Sequence, residues 1–349
     1  MHNNKNILII GGGPSGLAAS AQLSKLGYLP FLIEKEDQLG GHLNMWDRLF
    51  PDRESAEDIK NELISNLGNT KWFVSTTIDY INKLETSYNI QLSNGISIIA
   101  DAILVATGFD LFRAEKKEEY GYGIYEKVIT NADLEKFFKT GYDKRIIKNP
   151  KNIAFVHCVG SRDEKVGNRY CSKVCCVTAI KQACELKEIF PEATIYCFYM
   201  DLRMFGKRYE DLYYEAQTKY GIRFIRGRVS EIFEANAESS LIIKAEDTLT
   251  SKPLRISVDL AILMSGMCHS EKTNEIANML SLSIDDDGFL KSVSNTTHIC
   301  ESAHDGVFYA GACTGTKNIP EALSEGRSSA LLIHSYLIDK HKKEGNRND

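Results

Sequence analysis

The stretch NILIIGGGPSG, residues 6–16, leads from a mostly apolar run into a cluster of glycines. A short apolar run that ends at glycine is typical of a buried strand. The helical spacing of residues 14–27 predicts a helix that stops at Gly27, and residues 28–35 (YLPFLIEK) predict a second strand. The order of strand, glycine turn, helix and strand is typical of a fold that binds a dinucleotide.

Three glycines of this stretch match the pattern G-x-G-x-x-G. Gly11 permits the tight turn, Gly13 lets the backbone approach a pyrophosphate, and Gly16 lets the helix pack closely on the strand. The N-terminus of the helix presents free N–H groups and the positive end of its dipole to phosphates. Glu34 lies 18 residues after Gly16, where a carboxylate accepts hydrogen bonds from an adenosine ribose. The predicted dinucleotide site contains Gly11, Gly13, Pro14, Ser15, Gly16 and Glu34.

A second unit repeats the strand–helix alternation. The patterns predict strands over 152–160 and 193–200, and helices over 175–190 and 207–221. Each unit closes with a strand that runs into a glycine turn, DAILVATGF (101–109) in the first and DLAILMSGM (259–267) in the second. We therefore predict an α/β fold of two Rossmann-like domains, the second inserted in the first. The predicted boundaries are 1–113 with 286–349 for the first domain and 114–285 for the second.

Composition excludes several classes of function. With 349 residues the chain is long enough for two domains, and its net charge of −5 indicates no basic surface for nucleic acid or anionic lipid. No apolar run approaches the roughly 20 residues of a membrane helix. The first residues lack the pattern of a secretory signal, so we expect a cytoplasmic protein with reduced thiols. The charged C-terminal residues 341–349 are expected to be frayed.

The first domain resembles the thioredoxin and glutathione reductase class of flavoproteins. The resemblance rests on Gly40 and Gly41 following Glu34, on Ala-Thr-Gly at 106–108, and on GVFYAG at 306–311. It implies FAD as cofactor. It also implies that Ala312 stands where this class usually has an Asp that contacts the ribityl chain. The implied flavin contacts, beyond the dinucleotide site, are Lys35, Gly40, Gly41, His42, Ile78, Ala106, Thr107, Gly108, Gly311, Ala312, Lys317 and Ile319.

The last predicted helix, residues 319–338, carries a further implication of this resemblance. In the reductase class its N-terminus points at the flavin pyrimidine edge, where the helix dipole stabilises a reduced, anionic flavin by about 1 kcal/mol. Lys317 either adds to this effect or is a solvated loop lysine.

The second domain lacks the glycine fingerprint that binds NAD(P)H in those reductases. Its first strand is followed instead by four cysteines, in the pattern C-x₁₂-C-x₃-C-C: Cys158, Cys171, Cys175 and Cys176. Iron–sulfur clusters take four thiolates, whereas structural zinc usually takes two short C-x₂₋₄-C pairs. The pattern favours a [4Fe–4S] cluster, with zinc and unligated buried thiols as alternatives.

The five other cysteines indicate no flavin–dithiol relay. Neither a C-x-x-C pair nor a cysteine pair after Gly41 is present. Cys184 and Cys197 are predicted core residues, and a bystander role is expected for Cys268, Cys300 and Cys313, although Cys313 follows Ala312 and so could lie near the flavin.

Over nearly its whole length the chain resembles the A subunit of heterodisulfide reductase. The motifs that carry this resemblance are CVGSRDEKVGNRYCSKVCC (158–176), FGKRYE (205–210), RFIRGRV (223–229), DDGFL (286–290) and GTKNIPEA (315–322). The resemblance implies FAD, a [4Fe–4S] cluster on the four cysteines, and electron transfer inside a larger complex.

The departures from that family narrow the resemblance. Methanogen-type A subunits carry additional ferredoxin-like modules and cysteines downstream of Gly-Gly-His, and this sequence has neither. It is most similar to the short A subunit of the heterodisulfide-reductase-like complex of sulfur oxidisers. That similarity implies B- and C-type subunits, a lipoate-binding protein and a homodimer as partners.

Two other functions remain open from the sequence. One is a pyridine-nucleotide-dependent disulfide reductase of the thioredoxin reductase class, against which the missing second glycine fingerprint argues. The other is a flavin-bearing scaffold with structural zinc. The sequence predicts no catalytic side chain, because the cofactors would carry the chemistry.

Overall fold

The computed structural model describes residues 5–141, 149–235 and 240–345. Its strands, numbered in chain order, are β1 Asn6–Ile10, β2 Leu29–Ile33, β3 Arg48–Leu49, β4 Glu54–Ser55, β5 Lys71–Phe73, β6 Ile78–Lys83, β7 Tyr88–Leu92, β8 Ser97–Ala100, β9 Ala102–Val105, β10 Phe109–Leu111, β11 Val128–Thr130, β12 Asn152–Val159, β13 Thr194–Tyr199, β14 Arg223–Arg226, β15 Val229–Glu234, β16 Leu241–Asp247, β17 Lys252–Val258, β18 Leu260–Ser265, β19 Met267–His269 and β20 Val307–Tyr309.

The α-helices of the same described residues are α1 Pro14–Lys25, α2 Ala56–Ser65, α3 Asn131–Thr140, α4 Cys175–Ile189, α5 Tyr209–Thr218, α6 Glu271–Leu280 and α7 Ile319–Gly345. Helix α7 extends seven residues beyond its predicted end at 338. Residues 341–345 of the tail that was expected to be frayed continue this helix, while 346–349 lie outside the described residues.

The chain divides into two compact units. Unit 1 comprises Met1–Asn44, Glu57–Asp110 and His269–Asp349, and unit 2 comprises Met45–Ala56 and Leu111–Cys268. This division differs from the predicted boundaries in two segments. Met45–Ala56 belongs to unit 2 but was predicted in the first domain, and residues 269–285 belong to unit 1 but were predicted in the second domain.

Unit 1 is built on a five-stranded parallel sheet in the order β20-β9-β1-β2-β5. Its central strand β1 contains Ile7, Leu8 and Ile9, each fully buried, because apolar layers cover both faces of a parallel sheet. The layer containing Ile7 and Ile9 includes residues of α1 and α7. A separate antiparallel sheet, β6-β7-β8, has its predicted hairpin turn at Gly95, whose φ of +86° suits glycine.

Unit 2 repeats this plan. Its parallel sheet has the order β11-β18-β12-β13-β14, and β15-β16-β17 form an antiparallel sheet. Ile153 and Phe155 of β12 pack in one apolar cluster with α4, while Ala154 and Val156 pack in another. The predicted order of strand, helix, strand and helix over 152–221 is therefore present, and the carboxyl end of β12 leads into the four-cysteine loop.

No helix in the described part of the chain is long and apolar enough to cross a membrane.

Candidate functional site

The glycine turn after β1 has the geometry of a dinucleotide cradle. A Cβ on Gly11, whose φ is +112°, would lie 2.3 Å from the carbonyl oxygen of Ala106, and a Cβ on Gly16 would lie 1.9 Å from the carbonyl oxygen of Gly11. Neither position tolerates a side chain. Gly13 has no atom within 4 Å of such a Cβ, so its backbone borders open space. It is also the N-cap of α1, where no side chain caps the helix and the first amides stay available to an anion.

Glu34 is held beside this turn. Its side chain is buried, and Oε2 accepts a hydrogen bond from the Gly12 amide at 2.8 Å while Oε1 accepts one from the Glu36 amide at 3.0 Å. Lys35 has 44% of its side chain exposed and forms an ion pair with Glu36 at 3.4 Å. Glu34 thus faces the cradle, and Lys35 lies at its outer margin.

The glycine pair at 40 and 41 packs against the glycine turn at 12 and 13. The Gly40 amide donates to the Gly12 carbonyl at 2.8 Å, and a Cβ on Gly41 would lie 3.0 Å from the Cα of Gly13. The next residue, His42, stacks on Phe109 at 4.1 Å between ring centroids, and its Nε2 lies 2.9 Å from the Phe109 carbonyl oxygen. Burial lowers the pKa of His42, so the ring is neutral near pH 7.

The remaining predicted flavin contacts of unit 1 lie at strand ends or strand starts. Thr107 and Gly108 follow β9, and the Thr107 hydroxyl is 2.6 Å from that of Thr273. Gly108 has a φ of +74°. Ile78 opens β6 and is buried in an apolar cluster.

At the start of α7 the structure adds a carboxylate that sequence reasoning missed. Glu325 Oε2 accepts a hydrogen bond from the Gly311 amide at 2.9 Å, and Glu325 Oε1 lies 3.4 Å from Lys317 Nζ. The Lys317 side chain is 14% exposed and also donates to Thr314 Oγ1 at 2.7 Å. The alternative of a solvated loop lysine is therefore wrong. Ala312 is buried beside Gly311, and Ile319 is the first residue of α7.

The unit 1 residues fit a dinucleotide. Glycine is required where the backbone closes on itself, at Gly11 and Gly16, and space is left open at Gly13, where a phosphate would approach. The candidate site is thus made of backbone amides and one fixed carboxylate rather than of catalytic side chains.

The corresponding strand end of unit 2 is irregular. The pairing of β12 with β18 shifts register between Val156 and Val159, and Cys158, within this bulge, has a φ of +60°. A non-glycine residue in this region costs about 1–2 kcal/mol. Bulges of this kind re-aim side chains beside functional sites. Strain of this kind persists only where the surrounding structure holds it.

Backbone and hydroxyl hydrogen bonds hold together the two ends of the loop that follows β12, residues 161–172. The Ser161 and Ser172 hydroxyls are 2.5 Å apart, and Ser172 Oγ also accepts from the Met267 amide at 2.8 Å. The Arg162 amide donates to the Tyr170 carbonyl at 2.8 Å. The closed loop returns Cys171 towards Cys158, although 12 residues separate them in sequence.

The four predicted ligand cysteines lie within electrostatic range of one another. Burial, and then the thiols of Cys176 and Cys171, raise the pKa of Cys158 to about 12. Burial raises the pKa of Cys175 well above its usual range, and the thiols of the other three cysteines add to this effect. The thiols of Cys158, Cys171, Cys175 and Cys176 thus lie close enough for their charges to shift one another's pKa.

These cysteines do not form a closed site for a single metal ion. Among the residues that the structure describes, no group of three or more His, Cys, Asp or Glu side chains could hold one. No disulfide joins any of the nine cysteines, all of which lie in the described ranges. The donor set of four sulfurs nevertheless fits a [4Fe–4S] cluster, which is larger than one ion and takes four thiolates.

Arginines border the four cysteines. Arg162 and Arg203 lower the pKa of Cys158 and of Cys176, opposing the larger effect of burial. Arg162 forms an ion pair with Asp201 at 2.8 Å. The Cys176 thiol lies 3.5 Å from the Asp201 carbonyl oxygen. Positive charge beside the thiols favours their anionic, ligating form.

His157, next to Cys158, is a second feature that the sequence patterns did not reveal. Its side chain is buried, and burial lowers its pKa to about 4, so the ring is neutral near pH 7. Neither ring nitrogen has a hydrogen-bond partner within the described ranges. A buried polar group without a partner costs about 1–3 kcal/mol.

The five remaining cysteines are not members of the predicted set, although burial and then the thiols of Cys184 and Cys176 raise the pKa of Cys197. Cys184 and Cys197 are fully buried in the core of unit 2, as predicted. In unit 1, Cys313 is buried with its thiol 3.3 Å from the Val105 carbonyl oxygen, and Cys300 is buried too. Cys268 accepts a hydrogen bond from Asn168 at 3.3 Å.

Comparison with known proteins agrees with this architecture. An NAD(P)-binding Rossmann-like domain family matches residues 9–59. Thioredoxin reductase of Lactococcus lactis superposes with a TM-score of 0.67 at 16% identity, covering 96% of this chain and 100% of that one. The thioredoxin reductase of T. acidophilum gives 0.65 at 15% identity, covering 96% of this chain and all of that one. These likenesses confirm the predicted fold class.

Sequence relatives identify the family. An iron-sulfur A subunit of the CoB–CoM heterodisulfide reductase of Methanopyrus kandleri is 32% identical over 95% of this chain and 64% of its own length. The A subunit of the H₂/formate:CoB–CoM heterodisulfide,ferredoxin reductase of Methanococcus maripaludis is 40% identical over 70% of this chain and 38% of its own. The chain thus spans less than two thirds of the length of these relatives. It belongs to the family of heterodisulfide reductase A subunits, which are subunits of oxidoreductases.

Proposed function

We propose that this protein is an electron-transfer subunit that carries FAD in unit 1 and a [4Fe–4S] cluster in unit 2. The observation that carries the proposal is the mutual proximity of four thiols at the carboxyl end of β12. This strand end is the counterpart of the one where β1 meets its glycine turn. When bound, FAD would link two-electron to one-electron chemistry, and the cluster would pass single electrons.

In unit 1 the chain would bind and orient the flavin. Gly11, Gly13 and Gly16 would admit the pyrophosphate, while Glu34 would receive the adenosine ribose. The loop before α7 would face the isoalloxazine ring, with the cation of Lys317 held in place by Glu325. The other implied contacts are Pro14, Ser15, Lys35, Gly40, Gly41, His42, Ile78, Ala106, Thr107, Gly108, Gly311, Ala312 and Ile319.

In unit 2 the four cysteines would hold the cluster, one sulfur for each iron. Burial of three of them excludes water from the site, and Arg162 and Arg203 would offset the negative charge of the ligated cluster. A long polar loop in place of a glycine turn leaves no cradle for a nicotinamide dinucleotide after β12.

The test is anaerobic purification followed by cofactor analysis. We expect about one flavin, four irons and four acid-labile sulfides per chain. Flavin without iron or sulfide would contradict the cluster. Zinc at about one per chain without iron would support the scaffold alternative with a structural Cys₄ site.

We further propose that the protein works in a heterodisulfide-reductase-like complex that oxidises sulfur compounds, with B- and C-type subunits and a lipoate-binding protein as partners. Two observations support this proposal. The chain belongs to the heterodisulfide reductase A family, and it has no cysteines after Gly41, a feature in which it resembles the short A subunits. Co-purification of tagged protein with co-expressed B- and C-type subunits is expected. Elution of a homodimer in size-exclusion chromatography is expected for the protein alone.

A second candidate function is a pyridine-nucleotide-dependent disulfide reductase, favoured by the likeness to thioredoxin reductases. It predicts rapid bleaching of the flavin by NADH or NADPH and a titratable dithiol. Slow or absent bleaching, together with an iron–sulfur signal, would exclude it in favour of the first proposal.

A further inference from the structure

Two loops of unit 2 lie side by side at the carboxyl edge of its parallel sheet. Strands β12 and β13 are parallel neighbours, so the loops that follow them leave the sheet at the same edge. The first loop contains Cys171, and the second comprises residues 201–208 (DLRMFGKR). The Cys176 thiol lies 3.5 Å from the Asp201 carbonyl oxygen, so the second loop borders the four-cysteine set.

The middle of this second loop is fixed beside the thiols. Burial raises the pKa of Cys176, and a hydrogen bond from the Arg203 main chain opposes that rise. Met204 is buried in the apolar cluster that also contains Cys175 and Cys176. Because Met204 is turned inward, the residues on either side of it, Arg203 and Phe205, are exposed.

The Phe205 ring lies on the surface beside the most accessible member of the four-cysteine set. The residue is 52% exposed, and Lys173 Nζ lies 5.4 Å from its ring centroid. The Lys173 amide donates to the Cys171 sulfur at 3.3 Å, so one residue contacts both the ring and a predicted ligand. Cys171 is half-buried, whereas the other three cysteines of the set are buried.

The surface around this ring carries more positive than negative charge. Asp201 forms ion pairs with Arg162 at 2.8 Å and with Arg226 at 3.6 Å, so one carboxylate serves two cations. Arg203 and Lys207 add two exposed cations. The whole chain has a net charge of −5, so this surface is a local exception that the composition does not reveal. We call it the basic rim, and it consists of Lys173, Arg203, Phe205, Lys207 and Arg226.

The basic rim has the character of a protein-binding surface. Aromatic residues and Arg are enriched at protein interfaces, and positive potential speeds the approach of a negatively charged partner. Offsetting the charge of the proposed cluster would account for Arg162 and Arg203, which lower the pKa of the Cys176 thiol against the larger effect of burial. It does not account for an exposed phenyl ring among the cations.

We propose that the basic rim docks an acidic protein that carries a one-electron centre, next to the cluster edge at Cys171. When the reduced carrier docks, its centre gives one electron to the cluster; the carrier is oxidised, the cluster is reduced, and no bond forms. Encounters of this kind bury less than about 1,200 Å² in total, which suits a small rim around one exposed ring. This inference rests on the proposed cluster.

The experiment mixes the full-length, flavin- and cluster-loaded protein with flavodoxin hydroquinone, an acidic FMN protein, in an anaerobic stopped-flow apparatus. Formation of flavodoxin semiquinone gives the second-order rate constant of electron transfer. For the parent protein this constant should fall as ionic strength rises, because salt screens the attraction. Lys207→Glu is expected to lower it at least about tenfold at low salt, and Phe205→Ser about threefold or more.

Two further variants of unit 2 are matched controls. Lys151→Glu reverses an exposed charge just before the amino end of β12, and Ile189→Ser replaces an exposed apolar side chain at the last residue of α4, 42% exposed. Both positions lie at the opposite ends of these elements from the cysteines. Each control should leave the rate constant within about twofold of the parent value, because charge steering depends on where the charge lies.

Reduction by a small neutral donor separates docking from the state of the cluster. Photoreduction with 5-deazariboflavin needs no docked protein and should proceed equally in the parent protein and in all four variants. A loss seen only with flavodoxin is then a loss of docking. Equal flavodoxin rates in Lys207→Glu, Phe205→Ser and the parent protein would overturn the inference, as would a parent rate that does not depend on ionic strength.

Two other occupants of the basic rim would also overturn the inference. Binding of adenosine 2′,5′-bisphosphate that Lys207→Glu abolishes would assign the rim to the phosphate of a nucleotide. A dimer of the parent protein that Phe205→Ser dissociates in size-exclusion chromatography would assign the ring to a second copy of this chain. These outcomes leave the cluster proposal intact, whereas absence of iron from the parent protein would overturn the cluster proposal itself.

Discussion

The two parallel sheets of the molecule use the carboxyl end of a central strand in opposite ways. After β1 the backbone turns at Gly11, in a left-handed conformation that glycine adopts freely, and α1 starts at Pro14. After the bulged end of β12 the left-handed residue is Cys158, and α4 starts only at Cys175. One strand end offers backbone amides, whereas the other offers sulfur.

On the proposed function, this difference would let one architecture hold two kinds of ligand. A glycine turn excludes side chains, so that main-chain N–H groups can approach a phosphate. The β12 loop instead accepts a strained cysteine and closes through Ser161 and Ser172. The sheet order around each strand is similar, so the distinction lies in the connection from strand to helix.

The largest expected effect comes from removing a sulfur at the unit 2 strand end. Replacing any of the four cysteines with Ala, as in Cys175→Ala, should reduce iron from about four per chain to below about one half, because a cluster needs all its thiolates. The flavin content should not change, since the cradle lies in unit 1. Iron and flavin analysis of anaerobically purified variants measures both.

Cys184→Ala is the matched control, because Cys184 is a fully buried cysteine of α4 outside the four-cysteine set. It should keep its iron. Equal iron loss in Cys184→Ala and Cys175→Ala would mean that the four cysteines have no special role.

At the unit 1 strand end, two glycines should respond differently to Ala. Gly16→Ala places a Cβ 1.9 Å from the Gly11 carbonyl oxygen and should lower the free energy of unfolding by about 3 kcal/mol. Gly13→Ala meets no atom within 4 Å and should change stability by less than about 0.5 kcal/mol, yet weaken flavin binding at least about tenfold. Denaturant titration and flavin titration separate the two effects.

If Gly13→Ala bound flavin as tightly as the parent protein, the open space at Gly13 would not be the approach to the pyrophosphate.

The helices that follow the two strands also differ in their buried charge. Helix α1 buries no charged side chain, whereas α4 buries Lys181, which pairs with Glu135 at 2.5 Å and with Glu185 at 3.1 Å. Burial raises the pKa of Glu185 from 4.5 to about 7, an effect that Lys181 opposes. Because the folded state holds this proton more tightly than the unfolded state, stability should fall by about 3 kcal/mol as pH rises from 4.5 to 7.

Glu185→Gln removes this titration, so the variant should not lose the stability that the parent protein loses. Relative to the parent protein, the variant should therefore gain about 3 kcal/mol in its free energy of unfolding between about pH 5 and pH 8. Anaerobic denaturant titrations at the two pH values measure the difference. A difference that does not depend on pH would mean that Glu185 is ionised in the folded protein throughout.

The smallest expected effect concerns the strain at Cys158. In the cluster-free protein, Cys158→Gly should be more stable than Cys158→Ala by about 1 kcal/mol, because glycine adopts the left-handed conformation without a Cβ penalty. In the interior of α4 the order is reversed, and Ala183→Gly should destabilise by about 1 kcal/mol. Thermal unfolding of the three variants measures these stability differences. If Cys158→Ala were as stable as Cys158→Gly, the backbone at residue 158 would not be strained.

Much of the site could be predicted because its signals are local. The spacing of the glycines at 11, 13 and 16 is a local pattern, and Gly16 is required by its approach to the Gly11 carbonyl within one strand–turn–helix unit. The contact that requires Gly11 is with Ala106, which the pattern does not reveal. The signal is also local at the α4 start at Cys175, where helical spacing and the paired cysteines coincide. The end of α7 was missed because its charged last residues carry no stop signal before Gly345.

What the sequence by itself determined is the order of strands and helices, the two glycine turns and the identity of four candidate sulfur ligands, since each depends on neighbours along the chain. The tertiary structure alone decided which distant groups meet. It paired Glu325 with Gly311, left His157 buried without a partner in the described part of the chain, and brought Cys171 back to Cys158. These contacts join residues from separate elements, and such pairings leave no periodic trace in either segment, because packing rather than local propensity selects them.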